Sequence, residues 1–169
     1  MILLHEQGLR FIDVPRTASR AMEDALSGVP GAARHKQHGT SVPTEAKGFP
    51  VFFCHRNPYP RVYSHWRKQS TALSWGQYAI RCKDTIIEGW VSGARIADCC
   101  EFAGLPDTFY NMATRLGVVP PPVLDETHRV KRRRSAGWRE HYTEAIASAV
   151  WDFSRMDFER FGYCKDSWK

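Results

Sequence analysis

Residues 9–26, LRFIDVPRTASRAMEDAL, decide how this chain folds. Leu9, Phe11, Ile12 and Val14 form a short apolar run of β-prone residues. Pro15 ends it, because proline cannot donate to a strand ladder. From Thr17 onward Ala18, Met22, Ala25 and Leu26 recur at near-helical spacing, with Glu23 and Asp24 on the other face. The stretch therefore predicts a buried strand, a tight turn and a helix. The turn itself, PRTASR, is built of small residues, two hydroxyls and two arginines. A helix N-terminus offers unpaired N–H groups and the positive end of the helix dipole, so such a turn suits a phosphate or sulfate. Taken alone it equally fits an ordinary strand-to-helix connection with a surface arginine.

A second unit of the same kind begins at residue 49, FPVFFCHRNPYPRVYSHWRKQ. Val51, Phe52, Phe53 and Cys54 are continuously apolar, which predicts a strand buried on both faces of a parallel sheet. His55, Arg56, Asn57 and Pro58 make the turn after it. From Tyr59 the pattern is helical, with Val62, Tyr63 and Trp66 inward and Arg61, Ser64, Arg67 and Lys68 polar. Ligands of open α/β sheets bind at the carboxyl ends of parallel strands. Two basic turns at that edge fit a ligand with two separate anionic groups.

Between these units, residues 27–48 read as a loop rich in Gly, Pro, Ser and Thr. It carries His35 and His38, either solvated or a general base near neutrality; no cysteine or carboxylate completes a metal set with them. Downstream, residues 85–103 read as a helix opened by a capping box, Thr85-Ile86-Ile87-Glu88. Asp107 caps another helix through Arg115, which stops at Gly117 and the triple proline of 120–122. Trp75, Tyr78, Trp90, Phe102, Phe109 and Tyr110 read as core by default, with a minority available to line an acceptor pocket. Lys131, Arg132, Arg133 and Arg134 form a basic loop. Ile146, Val150, Phe153 and Met156 then define a docking helix that begins at Thr143, and Gly162 closes the last turn.

At 169 residues the chain predicts one domain, 1–169, with an ordinary apolar fraction of 43%. No apolar run approaches the length of a membrane span, and the opening MILLHEQGLR does not resemble a cleaved signal. The five cysteines form no CxxC pair, which suits reduced thiols in a cytoplasmic protein. A net charge of +6 points to an anionic partner: a nucleotide, a nucleic acid or another polyanion. The Walker A pattern is missing, which argues against an ordinary P-loop kinase.

Three blocks in this order resemble the sulfotransferases that use 3′-phosphoadenosine 5′-phosphosulfate (PAPS), in particular the carbohydrate type. FIDVPRTASRAM is similar to that family's 5′-phosphosulfate loop, usually written hydrophobic-hydrophobic-Pro-Lys-Thr-Ala-Gly-Thr-Ser. CHRNPYPRVYSHWR is similar to the 3′-phosphate block, Arg-x-Pro-x-x-Arg-x-x-Ser. GWREHYTEAIASAVWDFSRMDFERFGY is similar to the terminal block, and the match thins between residues 68 and 122. The resemblance implies a three-layer α/β/α fold with a small central parallel sheet, P-loop NTPase-like. It implies an enzyme that transfers a sulfonyl group from PAPS, as co-substrate and without a metal, to a hydroxyl or amine of a small-molecule or carbohydrate acceptor. It places Arg16 on the bridging oxygen, and Thr17, Ala18, Ser19 and Arg20 around the 5′-phosphosulfate. Arg56 and Ser64 fall on the 3′-phosphate, with Lys131, Arg132 and Arg133 over it. His38 matches a catalytic base, with His35 and Glu45 as alternatives. Arg16 stands where the family carries lysine, and Ser19, Arg20 and Ala21 stand where it carries Gly-Thr-Ser. Arginine keeps the charge but is a planar, bulkier donor. Two other readings therefore stay open: a nucleotide-binding relative without transfer, and a basic nucleic-acid or polyanion binder.

Overall fold

A computed structural model of the chain describes residues 1–35, 43–69, 72–81, 87–124 and 137–169. It is a mixed α/β structure built on a five-stranded sheet ordered β3-β1-β2-β4-β5. The strands are β1 (Ile2–Leu4), β2 (Leu9–Phe11), β3 (Ala32–Arg34), β4 (Val51–His55) and β5 (Ile96–Glu101). Six α-helices accompany them among the described residues. They are α1 (Ser19–Leu26), α2 (Pro58–Trp66), α3 (Trp75–Arg81), α4 (Glu88–Val91), α5 (Asp107–Arg115) and α6 (Glu144–Phe161).

The sheet is mixed, which corrects the expected all-parallel sheet. β2, β4 and β5 pair in parallel, whereas β1 runs antiparallel to both of its neighbours, β2 and β3. β3 therefore points the same way as β2, and four strands end at one edge. The cause is local. Gly8, with φ of 60°, closes a hairpin whose residues Ile2, Leu4, Leu9 and Phe11 share one buried face. β3, in the segment read as loop, then covers the outer side of β1.

β4 is buried on both faces, as its apolar run predicts. Phe52 and Cys54 pack with Met22 and Leu26 of α1 and Phe109 and Met112 of α5. Val51 and Phe53 point the other way, toward Ile87, Val91 and Phe161. Helical elements thus lie against both sides of the sheet. A third cluster joins α2, α3 and α6 through Tyr59, Val62, Tyr78, Ala147, Val150 and Phe158.

The helix expected over 85–103 is replaced by the short α4 and then β5, while Thr85 and Ile86 lie outside the described residues. Gly93, with φ of 71°, turns the chain after α4. β5 then pairs with β4 from Ile96 to Glu101, where tertiary pairing overrides local periodicity. The two helix ends downstream behave as the sequence predicts: Thr143 caps α6 by accepting from the Ile146 amide, and Gly162 closes it with φ of 68°.

Candidate functional site

The site is assembled where β2 and β4 end. Strand β2 passes through Val14 and Pro15 into the turn before α1, and this turn has an unusual backbone. Arg16 and Ala18 are both left-handed, with φ of 69° and 65°, and Thr17 between them is not. Non-glycine residues in that region cost on the order of 1 kcal/mol or more each, and they gather where function requires the geometry. Alternation of hand turns successive amides toward one concavity, the arrangement of an anion-binding nest. The first amide here to find a backbone acceptor is that of Ala21, which bonds the Ala18 carbonyl at 3.0 Å; among the described residues, those of 16–20 find none. Thr17 is fully buried, and its hydroxyl donates 2.8 Å to the Val14 carbonyl. That bond pins the turn to the strand end and leaves the threonine amide, not its hydroxyl, for a ligand.

The second turn is locked onto the first. Asn57 accepts from the Tyr59 amide at 3.0 Å and Pro58 opens α2, so sequence alone starts this helix at the end of β4. Arg56 then reaches across and donates from Nη1 to the Arg16 carbonyl at 3.2 Å. Ser64, one and a half turns into α2, accepts from Arg16 Nε at 3.0 Å and from Nη2 at 2.6 Å. The sequence reading placed Arg16 at one anionic group and Ser64 at another; here they are bonded to each other.

Arg56 is buried, stacks 4.2 Å above the Phe102 ring, and has an Nε without a hydrogen-bond partner. Burial and then the charges of Arg16 and Arg61 push its guanidinium down to about 10. Arg16 is lowered by burial and by Arg20. Exposed Lys68 is lowered by burial, by Arg20 and by Arg16, against a smaller opposing effect of Asp13. Four cations therefore repel one another around the nest, and an oxyanion among them would remove that repulsion.

Of the other residues expected at the site, Ser19 is buried at the start of α1 and Arg20 is exposed beside Arg16 and Lys68. His35 follows β3 on the same sheet edge, its amide bonded to the Met1 carbonyl at 3.0 Å. Glu45 lies exposed in a 3₁₀ turn, Thr44–Ala46. His38, Lys131, Arg132, Arg133 and Arg134 lie outside the described residues.

Two side chains read as solvent-facing are in fact buried, and both hold the scaffold. Arg61 is fully buried and donates to Asp157 of α6 at 2.6 Å. The same carboxylate accepts from the Ile87 and Glu88 amides at 2.8 and 3.1 Å, so it also caps the start of α4. Glu23 is buried under Arg34 at 3.1 Å and the Met1 ammonium at 2.6 Å. The Arg61–Asp157 pair joins two of the sequence blocks picked out above, the turn block of α2 and the terminal block. His55 and Tyr163 join them again, with 2.8 Å between Nδ1 and the phenol oxygen. The sequence does not single out Glu101; it marks Phe102 only among the aromatics of core or pocket lining, Lys68 only as a polar position after Trp66, and Tyr163 only within the terminal block. The pairing of β5 with β4 brings Glu101 and Phe102 to this edge, and the end of α6 brings Tyr163 against His55.

Among the described residues no helix is long and apolar enough to cross a membrane. No protein-family model, curated protein or solved structure matches this chain.

Proposed function

We propose that this chain is a sulfotransferase that moves a sulfonyl group from PAPS to a hydroxyl or amine of an acceptor, such as a carbohydrate. The observation that carries the reading is the interlock of the two strand-end turns. A left-handed, amide-rich turn with Arg16 lies against buried Arg56 and Ser64, so two anion-binding elements share one edge. The nest amides and Arg16 suit the 5′-phosphosulfate, and Arg56 with Ser64 suits the 3′-phosphate. Sulfonyl transfer resembles phosphoryl transfer in needing in-line positioning and charge stabilisation on the leaving oxygen. Fixed donors aimed at such charge are worth about 3–4 kcal/mol each in comparable sites.

Calorimetric titration with adenosine 3′,5′-bisphosphate tests the proposal. Binding is expected in the wild type, and Arg56→Ala should weaken it roughly 10- to 100-fold, the worth of a charge-assisted contact. No heat at high-micromolar ligand overturns the reading. The fork of Arg16 on Ser64 favours a second reading, nucleotide binding without transfer, because it commits the guanidinium expected to serve the leaving oxygen. Isotope transfer from labelled PAPS to an acceptor panel separates the two.

A further inference from the structure

Arg56, the guanidinium suited to the 3′-phosphate, stands between two neighbours that are each fastened to one distant segment. His55, before it, has Nδ1 2.8 Å from the Tyr163 hydroxyl. Asn57, after it, donates from Nδ2 to the Ser167 hydroxyl at 2.8 Å, while its Oδ1 accepts the Tyr59 amide. Tyr59 is fully buried and donates its hydroxyl to the Lys165 carbonyl at 2.6 Å. Three hydrogen bonds thus run from residues 163–169, which follow the Gly162 cap of α6, to the turn that carries Arg56.

The segment is itself held. The Ser167 hydroxyl gives its one proton to the Cys164 carbonyl at 2.7 Å, so it meets Asn57 as an acceptor. The Ser167 amide bonds the same carbonyl at 3.1 Å, which folds these residues into a turn. Arg139 fastens the far side, donating from Nε to the Lys169 carbonyl at 3.0 Å. The His55 ring lies flat on Phe161, with centroids 4.4 Å apart and planes within 9°.

These anchors bear on where Arg56 points. Its Nη1 donates to the Arg16 carbonyl, its plane covers the Phe102 ring, and its Nε finds no partner among the described residues. The start of that long side chain is placed by the backbone of 55–57. A small displacement of a binding group is costly, so such a residue needs neighbours that are themselves locked.

We propose that Tyr163 and Ser167 are positioning residues for the 3′-phosphate: by tying down His55 and Asn57 they aim the Arg56 guanidinium. This rests on the sulfotransferase reading and adds to it the part played by residues 163–169.

The test is calorimetric titration of Tyr163→Phe, Ser167→Ala and the two combined, each with Arg56 intact and in the Arg56→Ala background. The ligands are adenosine 3′,5′-bisphosphate and adenosine 5′-phosphate, which lacks the 3′-phosphate. With Arg56 intact, each single variant should weaken bisphosphate binding roughly 3-fold and the combined one roughly 10-fold, the worth of one or two hydrogen bonds. In the Arg56→Ala background the same changes should alter it by less than about 2-fold, because residues acting through one group are not additive. Adenosine 5′-phosphate should bind alike, within about 2-fold, whether or not the two substitutions are present. Ser167→Thr keeps the hydroxyl and should bind bisphosphate more tightly than Ser167→Ala. The single variants decide the matter if the combined one does not fold. Unchanged bisphosphate affinity, a loss that persists in full without Arg56, or an equal loss for both nucleotides would overturn the positioning role and leave the nucleotide site standing. A wild type that binds no bisphosphate overturns the sulfotransferase reading itself.

Discussion

Replacing Asp157 with alanine should be among the most damaging single changes in this protein, and the structure sets the size of the effect. The carboxylate and the Arg61 guanidinium are both fully buried and 2.6 Å apart. Removing one partner of such a pair costs about 3–5 kcal/mol, because the other charge stays buried. The Ile87 and Glu88 amides lose their acceptor in the same variant, and an orphaned buried donor costs about 1–3 kcal/mol. These penalties overlap, so roughly 5 kcal/mol is expected, comparable to the whole stability of a small domain. Asp157→Asn keeps one oxygen for the amides and loses the charge, so about 3 kcal/mol is expected. The double variant Arg61→Met/Asp157→Leu should be more stable than Asp157→Ala, since no charge is left buried. It should still fall below wild type, because the two α4 amides remain unpaired. Urea unfolding followed by circular dichroism gives the free energies from the midpoint and slope. A loss below about 1 kcal/mol in Asp157→Ala, or a double variant weaker than that single one, would refute this account of the pair.

His55 predicts an acid limb of stability. Its folded value is held near 4 against an ordinary value of 6.5. Above pH 6.5 the imidazole is neutral in both states and the folded protein has its full stability. As pH falls from 6.5 toward 4 the unfolded chain takes up a proton that the folded chain refuses, so stability drops. At about 1.4 kcal/mol per pH unit, discounted for partial exposure, the loss is about 2 kcal/mol. Denaturant unfolding at pH 7, 6 and 5 measures it, and His55→Gln should flatten that limb; an unchanged slope would contradict the assignment. Two glycines test backbone conformation without packing, since a Cβ at either Gly162 or Gly48 meets nothing within 4 Å. Gly162 is left-handed with φ of 68°, so Gly162→Ala should cost about 1 kcal/mol. Gly48 carries no such constraint, and Gly48→Ala should stabilise by about 0.5 kcal/mol through the unfolded chain. Thermal scans that move both variants in the same direction would disprove this reasoning.

What the sequence by itself determined was the pair of strand–turn–helix units. Proline after β2, the apolar run of β4 and the Asn57-Pro58 start of α2 are local signals that act without a distant partner. The strand ends therefore put Arg16 and Arg56 at one edge, as the sequence implied. The left-handed hand of Arg16 and Ala18 was not legible, because no glycine marks it and only surrounding structure can hold it. Partners far apart in the chain were equally hidden. Arg61 looked like a polar position on a helix surface until Asp157, 96 residues away, was found beneath it. Glu23 was misread in the same way, for charge periodicity cannot show that a buried partner exists. β5 was taken for helix because a strand is defined by the neighbour it pairs with, and that neighbour, β4, lies more than forty positions earlier. That pairing alone makes Glu101 the register partner of His55, and the terminal segment then lays Tyr163 against His55.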